Sequence, residues 1–268
     1  MIMKRLTPPS ILCTFSALTF LTSPAAHAQT PAEKGLSIAT AAKQSDAGWQ
    51  DMQASMQMIL RNSEGQESLR EIRIKALEQP DDGDKNLTLF DKPLDVKGTA
   101  FLSFSHAVGP DDQWLYLPAL KRVKRIASRN KSGPFMGSEF SFEDMSSFEV
   151  NKYTYKYIQD SPCSLGNCYV VEQYPVDQYS GYTKRITWVD TQEYRLDKIE
   201  FYDRKDALLK TLVYDNYQVY LNQHWRPHTM KMVNHQTGKS TDLIWDNFQF
   251  QTGLSDSDFN QNALKRAR

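Results

Sequence analysis

From Trp49 to about Phe250 the apolar residues fall mainly on alternate positions, the period of a strand with one buried face. Met56, Met58 and Leu60 alternate with Ser55, Gln57 and Ile59, and Asn62-Ser63-Glu64-Gly65 turns the chain into Leu69 to Leu77. This spacing predicts a first hairpin. Further period-two runs occur at Thr99 to Ser105, Gln113 to Leu117, Tyr153 to Ile158, Tyr169 to Tyr174 and Lys184 to Asp190. They continue at Arg195 to Tyr202, Leu208 to Tyr214, His228 to His235 and Thr241 to Phe250. Short polar turns such as Asp203-Arg204-Lys205-Asp206 and Thr237-Gly238-Lys239 separate the later runs. Roughly ten strands at this spacing predict a mainly β domain, one meandering antiparallel sheet that is strongly curled or closed into a barrel.

Two segments depart from that period. Gly35 to Ala47 carries Leu36, Ile38, Ala39, Ala42 and Ala47 at helical spacing before Gly48, which predicts a helix. Ser128 to Ser147 mixes Phe135, Met136, Phe140, Phe142 and Met145 with glycine, proline and acidic residues. A loop of this length in a compact domain is often a lid or binding element, and a plug closing one end of the barrel accounts for it equally well. Phe259 to Leu264 is either a short helix or a tail.

The N-terminus changes the picture of where the chain works. Lys4 and Arg5 precede an apolar stretch from Ile11 to Leu21, followed by Pro24 and Ala26-His27-Ala28. This is the pattern of a secretory signal, with residues 1–28 removed and residues 29–268 left as one domain. The stretch falls short of the roughly 20 residues that a membrane-spanning helix needs, and Cys13 lacks the small preceding residue expected of a lipidated cysteine. Of the 32 Lys and Arg and 32 Asp and Glu, the signal takes two basic residues, so the remainder carries 30 − 32 = −2. That balance gives no nucleic-acid footprint. Cys163 and Cys168 enclose Ser-Leu-Gly-Asn between two strand-like runs, and in an oxidising compartment a disulfide closing a hairpin end is expected.

Candidate chemistry is sparse. His224, His228 and His235 invite a zinc site, but residues four apart in a strand lie about 13 Å apart, and no H-E-x-x-H spacing is present. No G-x-S-x-G nucleophile elbow and no glycine-rich phosphate loop occur. Neither an enzyme nor a bound metal or cofactor is expected. The densest charge run, Lys121, Arg122, Lys124 and Arg125, reads either as a solvated strand face or as a docking patch for anionic head groups or an acidic partner. Its place between Trp114-Leu115-Tyr116-Leu117-Pro118 and the apolar loop favours docking.

The run from Lys92-Pro93-Leu94-Asp95-Val96-Lys97-Gly98-Thr99-Ala100-Phe101-Leu102 through Trp114-Leu115-Tyr116-Leu117-Pro118-Ala119-Leu120-Lys121-Arg122-Val123 resembles the LolA-like family, known as outer membrane lipoprotein-sorting proteins. The resemblance continues in Arg125-Ile126, in Met136-Gly137-Ser138-Glu139-Phe140-Ser141-Phe142-Glu143-Asp144 and, more weakly, in Cys168-Tyr169-Val170-Val171-Glu172. It implies a half-open β-barrel of the LolA/LolB type around an apolar cavity covered by helices and loops. It further implies a periplasmic carrier of acyl chains of a lipid or lipoprotein, in a branch associated with lipid exporters of the resistance-nodulation-division type at the inner membrane and with an outer-membrane acceptor.

Methionine is unbranched and adaptable, which suits variable acyl chains. The expected cavity and lid residues are therefore Met56, Met58, Trp114, Tyr116, Phe135, Met136, Phe140, Phe142, Met230 and Met232. The alternative is an accessory or scaffold subunit whose interior is packed core and which acts on a transporter through its surface.

Overall fold

The computed structural model describes residues 28–266; the expected signal, including Cys13, lies outside them except for Ala28. Helix α1 (Pro31–Ser45) begins four residues earlier than the apolar stripe predicts, because Thr30 closes a capping box. Its hydroxyl accepts from the Glu33 N–H at 3.2 Å while the Glu33 carboxylate accepts from the Thr30 N–H at 2.8 Å, and Pro31 supplies a helix-ready φ at the first position.

The strands are β1 (Asp51–Arg61), β2 (Glu67–Leu77), β3 (Lys85–Lys92), β4 (Ala100–Phe104), β5 (Asp112–Leu117), β6 (Arg122–Ile126) and β7 (Tyr153–Cys163). Then come β8 (Gly166–Pro175), β9 (Tyr182–Asp190), β10 (Leu196–Asp203), β11 (Leu208–Tyr220), β12 (His224–Asn234) and β13 (Ser240–Phe250), followed by α2 (Gln261–Arg266). Every predicted strand is present; β3 and β6 are additional. Phe259 to Leu264 resolves into the end of a 3-10 turn and most of α2.

All thirteen strands form one sheet in the order β6-β5-β4-β3-β2-β1-β13-β12-β11-β10-β9-β8-β7. The sheet is antiparallel and stays open, with β6 and β7 as its edges. Its curl follows from two contacts of consecutive residues. The Gln113 amide on β5 donates to the Phe142 carbonyl at 2.8 Å, while the neighbouring Ser141 hydroxyl lies 3.1 Å from that of Tyr182 on β9. In a flat sheet β5 and β9 stand nine strand spacings apart, roughly 43 Å. The sheet therefore wraps around the 128–147 segment.

Strand alternation assigns the two faces. Met58, Ile72, Phe101 and Leu212 pack inside with Phe135 and Phe140. Leu87, Leu89, Ala100 and Leu102 face outward beneath Phe259 and Leu264, where the C-terminal turn and α2 cover them. At the far end, Ile38 and Ala39 of α1 pack on Tyr155, Val171 and Val189. Cys163 and Cys168 form a disulfide across the β7–β8 hairpin, with Cα atoms 5.9 Å apart. Among the described residues no helix is long and apolar enough to cross a membrane.

The seat of α1 depends on Gly35. A Cβ there lies 2.9 Å from the Tyr157 backbone nitrogen and 3.1 Å from that of Lys156, inside van der Waals contact with atoms that cannot rotate away. Gly35→Ala gains about 1 kcal/mol of helix propensity yet is expected to displace α1. Hydrogen exchange should show lower protection in α1; undiminished protection would mean that the close approach is not required.

Candidate functional site

Between the inner face of β8–β12, α1 and the 128–153 segment lies a cavity of about 1370 Å³. The sheet supplies an apolar track through its register: Val171 faces Thr187, Thr187 faces Ile199, and Ile199 faces Leu212. Ile38, Ala39 and Ala42 of α1 roof this track, and Phe140 and Phe148 border it. Val108, Val176 and Val219 also line the cavity and are themselves exposed, so apolar surface continues from the interior to solvent. Ligand sites commonly span roughly 300–1,000 Å³. This cavity is larger than that range.

Six cations also line it. Five are matched by carboxylates: Lys43 with Glu149 at 3.0 Å, Lys131 with Asp177 at 2.7 Å, Lys152 with Asp111, Arg195 with Asp190 at 2.7 Å, and Arg226 with Asp46 at 2.5 Å. The sixth is Arg185 on β9. Its Nε donates to the Gln173 side-chain carbonyl at 2.6 Å, and its guanidinium lies over the Tyr153 ring at 4.1 Å and near that of Phe148 at 5.3 Å.

The 128–147 segment is bolted inside the sheet as a plug. Phe135 is fully buried and meets Phe101 and Phe142 edge-on, with centroids 5.1 and 5.6 Å away. Buried Lys210 on β11 donates to the Glu139 carbonyl at 2.8 Å and to the Asp144 carboxylate at 2.7 Å. Asp144 also accepts from the Ser141 N–H at 2.7 Å and the Tyr182 hydroxyl at 2.9 Å. Further along, the Glu139 N–H donates to Thr241 at 3.0 Å, and the Arg70 guanidinium donates to the Met136 carbonyl.

These contacts set the local electrostatics. Burial alone raises the Asp144 carboxyl, but the Lys210 ammonium and the donors from Ser141 outweigh it and hold it below the ordinary carboxylate range. Burial, reinforced by the Asp144 charge, raises neighbouring Glu143, although the Gly181 N–H and Ser180 hydroxyl donate to it at 2.8 and 2.9 Å.

Of the residues expected to line the cavity, Phe140 and Met230 do. Met56, Met58 and Met232 belong to the closed inner core, at 2%, 0% and 0% exposure, with the plug packed over them. Phe135, Met136 and Phe142 are parts of the plug that point into that core rather than into the cavity. Trp114 and Tyr116 lie on the opposite face, in the cluster under the C-terminal segment, because their β5 neighbour Leu115 takes the inward position. Sequence reasoning missed Arg185 and Lys210. They share strand parity with inward Thr187 and Leu212, and that parity is the signal that reveals them.

Lys121, Arg122, Lys124 and Arg125 are all exposed on or beside edge strand β6, and Arg125 pairs with Asp112. The three histidines have separate surroundings: His224 lies 3.6 Å from Asp46, His228 bonds the Tyr220 hydroxyl at 2.8 Å, and His235 bonds Thr211 at 2.8 Å.

An open, curled antiparallel sheet with an internal plug, a helix at one end and a large cavity beside it defines a cup-shaped half-barrel class. A family model described only as an uncharacterized protein matches residues 82–266. A domain from Vibrio parahaemolyticus, provisionally named an outer membrane lipoprotein-sorting protein domain, is 59% identical, with a TM-score of 0.86 over 88% of this chain and 100% of that one. A DUF1329-family protein from Desulfovibrio piger is 28% identical, with a TM-score of 0.83 over the same shares. A LolA-superfamily protein from Nitrosomonas europaea shares the fold at 20% identity, with a TM-score of 0.68 over 88% of this chain and all of that one. No curated protein matches the sequence. The chain belongs to the same family as the Vibrio domain, and with the Nitrosomonas LolA-superfamily protein it shares the fold.

Proposed function

We propose that the protein is a non-enzymatic periplasmic carrier that shelters the acyl chains of a lipid or lipoprotein and passes them between membrane partners. The observation that carries this reading is the cavity of about 1370 Å³, whose apolar track runs along the sheet and reaches exposed valines at its rim. Each methylene taken from water contributes about 0.8 kcal/mol, so a shielded cavity alone retains a chain. The name of the Vibrio relative, with its reference to outer membrane lipoprotein sorting, supports the same role. In this reading residues 1–28 are removed on export and residues 29–268 form the carrier domain. The donor is a transporter of the resistance-nodulation-division type at the inner membrane, and the acceptor lies at the outer membrane.

The plug is too firmly anchored to serve easily as the lid, and α1, which roofs the cavity and is tied to the plug region through Lys43 and Glu149, is the better candidate for opening it. A second reading, an accessory subunit acting through its surface, is favoured by one observation: Met56, Met58 and Met232 face packed core rather than open space. Uptake of a fluorescent fatty acid by purified, delipidated protein separates the two. Saturable binding supports the carrier, and absence of binding supports the accessory subunit.

The exposed cations on β6 are proposed as the docking patch. Basic residues near an anionic surface contribute about 1 kcal/mol each, so Lys124→Glu with Arg125→Glu should weaken binding to phosphatidylglycerol vesicles at low salt by at least about 30-fold. Unchanged vesicle binding removes the patch from the account.

A further inference from the structure

Five of the six cations lining the cavity are neutralised by carboxylates, and Arg185 is the exception among the described residues. A guanidinium carries five N–H donors in a fixed fork. At Arg185 only the Nε donor is used, and the Nη groups find no protein acceptor among the described residues. The side chain is nevertheless held in place. Gln173, which accepts from Nε, is itself fixed by donating to the Thr187 hydroxyl at 3.2 Å, and that hydroxyl donates to the Val171 carbonyl at 3.3 Å. Tyr153 stacks over the guanidinium on another side. The contrast with Lys210, one strand beyond Phe201 in the same cross-strand row, is direct: that ammonium is consumed by Asp144.

Two residues along β9 from Arg185, the row Val171-Thr187-Ile199-Leu212 begins the apolar track. A fixed, unneutralised fork beside an apolar run matches a molecule with an anionic oxygen head and a hydrocarbon tail, since guanidinium pairs bidentately with carboxylate or phosphate. We propose that Arg185 is a head-group site and that the cargo is an amphiphile bearing a carboxylate or phosphate, its chain lying along Val171, Ile199 and Leu212. An acyl cargo with a neutral head leaves the Nη donors unpaired beneath it, at a cost. The inference rests on the carrier reading and narrows its cargo.

The test uses delipidated protein and four probes: dodecanoate, dodecyl phosphate, methyl dodecanoate and inorganic phosphate, with affinities measured by calorimetry. Dodecanoate and dodecyl phosphate are expected to bind roughly 10- to 100-fold more tightly than the ester, with inorganic phosphate not binding at millimolar concentration. Arg185→Gln should bring the two anionic amphiphiles to the ester's affinity and leave the ester unchanged, which also shows that the variant is folded; Arg185→Lys should retain part of the preference. Equal binding of acid and ester, unaltered in Arg185→Gln, overturns the head-group site and leaves the carrier standing. Inorganic phosphate binding as tightly as dodecyl phosphate overturns the amphiphile in favour of a free-anion site. Failure of every chain-bearing probe overturns the carrier reading and the inference with it.

Discussion

Replacing Lys210 with methionine is expected to lower unfolding free energy by about 3–5 kcal/mol, because it leaves the Asp144 carboxylate buried without its counter-charge. Lys210 and Asp144 are 4% and 8% exposed in their side chains, so solvent cannot substitute for the missing partner. Urea denaturation measures the loss, and Asp144→Asn in the same background should recover part of it by removing the orphaned charge. The pH dependence gives an independent check. Asp144 is depressed in the folded protein, so its contribution is present above its unfolded value of about 3.9 and is lost as pH falls through the lower folded value. Without Lys210, burial dominates and the carboxyl rises instead, so Asp144 adds stability on acidification in the variant and takes it away in the parent. The difference between the two proteins should therefore narrow as pH drops from 7 toward 4. Glu143, raised by burial and by the Asp144 charge, adds a stability gain on acidification in both proteins, and the part that comes from burial cancels from the comparison.

Ala42→Trp is expected to cripple acyl binding while sparing the fold. Ala42 sits on α1 at the border between the cavity and the cluster of Ile38 and Val171 and is only half-buried, so an indole turned to the cavity side fills volume the chain would occupy. Each methylene displaced from shelter forfeits ~0.8 kcal/mol; exclusion of even two weakens binding by about 1.6 kcal/mol, more than tenfold. Titration with dodecanoate, alongside thermal unfolding, reads both quantities. Unimpaired binding would place the chain elsewhere, and a collapse in melting temperature would show that α1 packs on the sheet more closely than its neighbours indicate.

The sequence carries the sheet more fully than the site. A period-two pattern marks strands whose one face is buried, and those strands are where it predicts them. It fails for β3, where Leu87 and Leu89 pack outward and Phe90 inward, so both faces are covered and the alternation is lost. It fails again for β6, where exposed Arg122, Lys124 and Arg125 surround Val123 and the run reads as charge. The cavity was harder to see because it is assembled from register. Alternation tells that Met56 and Met58 point one way, but only the pairing of β1 with β13, which joins Met58 to Leu243 far along the chain, and the packing of Phe135 across the interior decide that this region is filled. Likewise Trp114 and Leu115 differ only in parity, and α2 determines which side Trp114 meets. Arg185, between Lys184 and Ile186, looks like one more surface cation until Gln173 on one side and Phe201 on the other fix its side of the sheet.

Native mass spectrometry of the protein isolated from the cells that make it, with organic extraction of whatever is bound, tests the carrier claim most directly. The account predicts a stoichiometric acylated molecule in the cavity, with an anionic head in the extracted species. An empty protein that also fails to take up fluorescent fatty acid would contradict it and return the search to the protein surface.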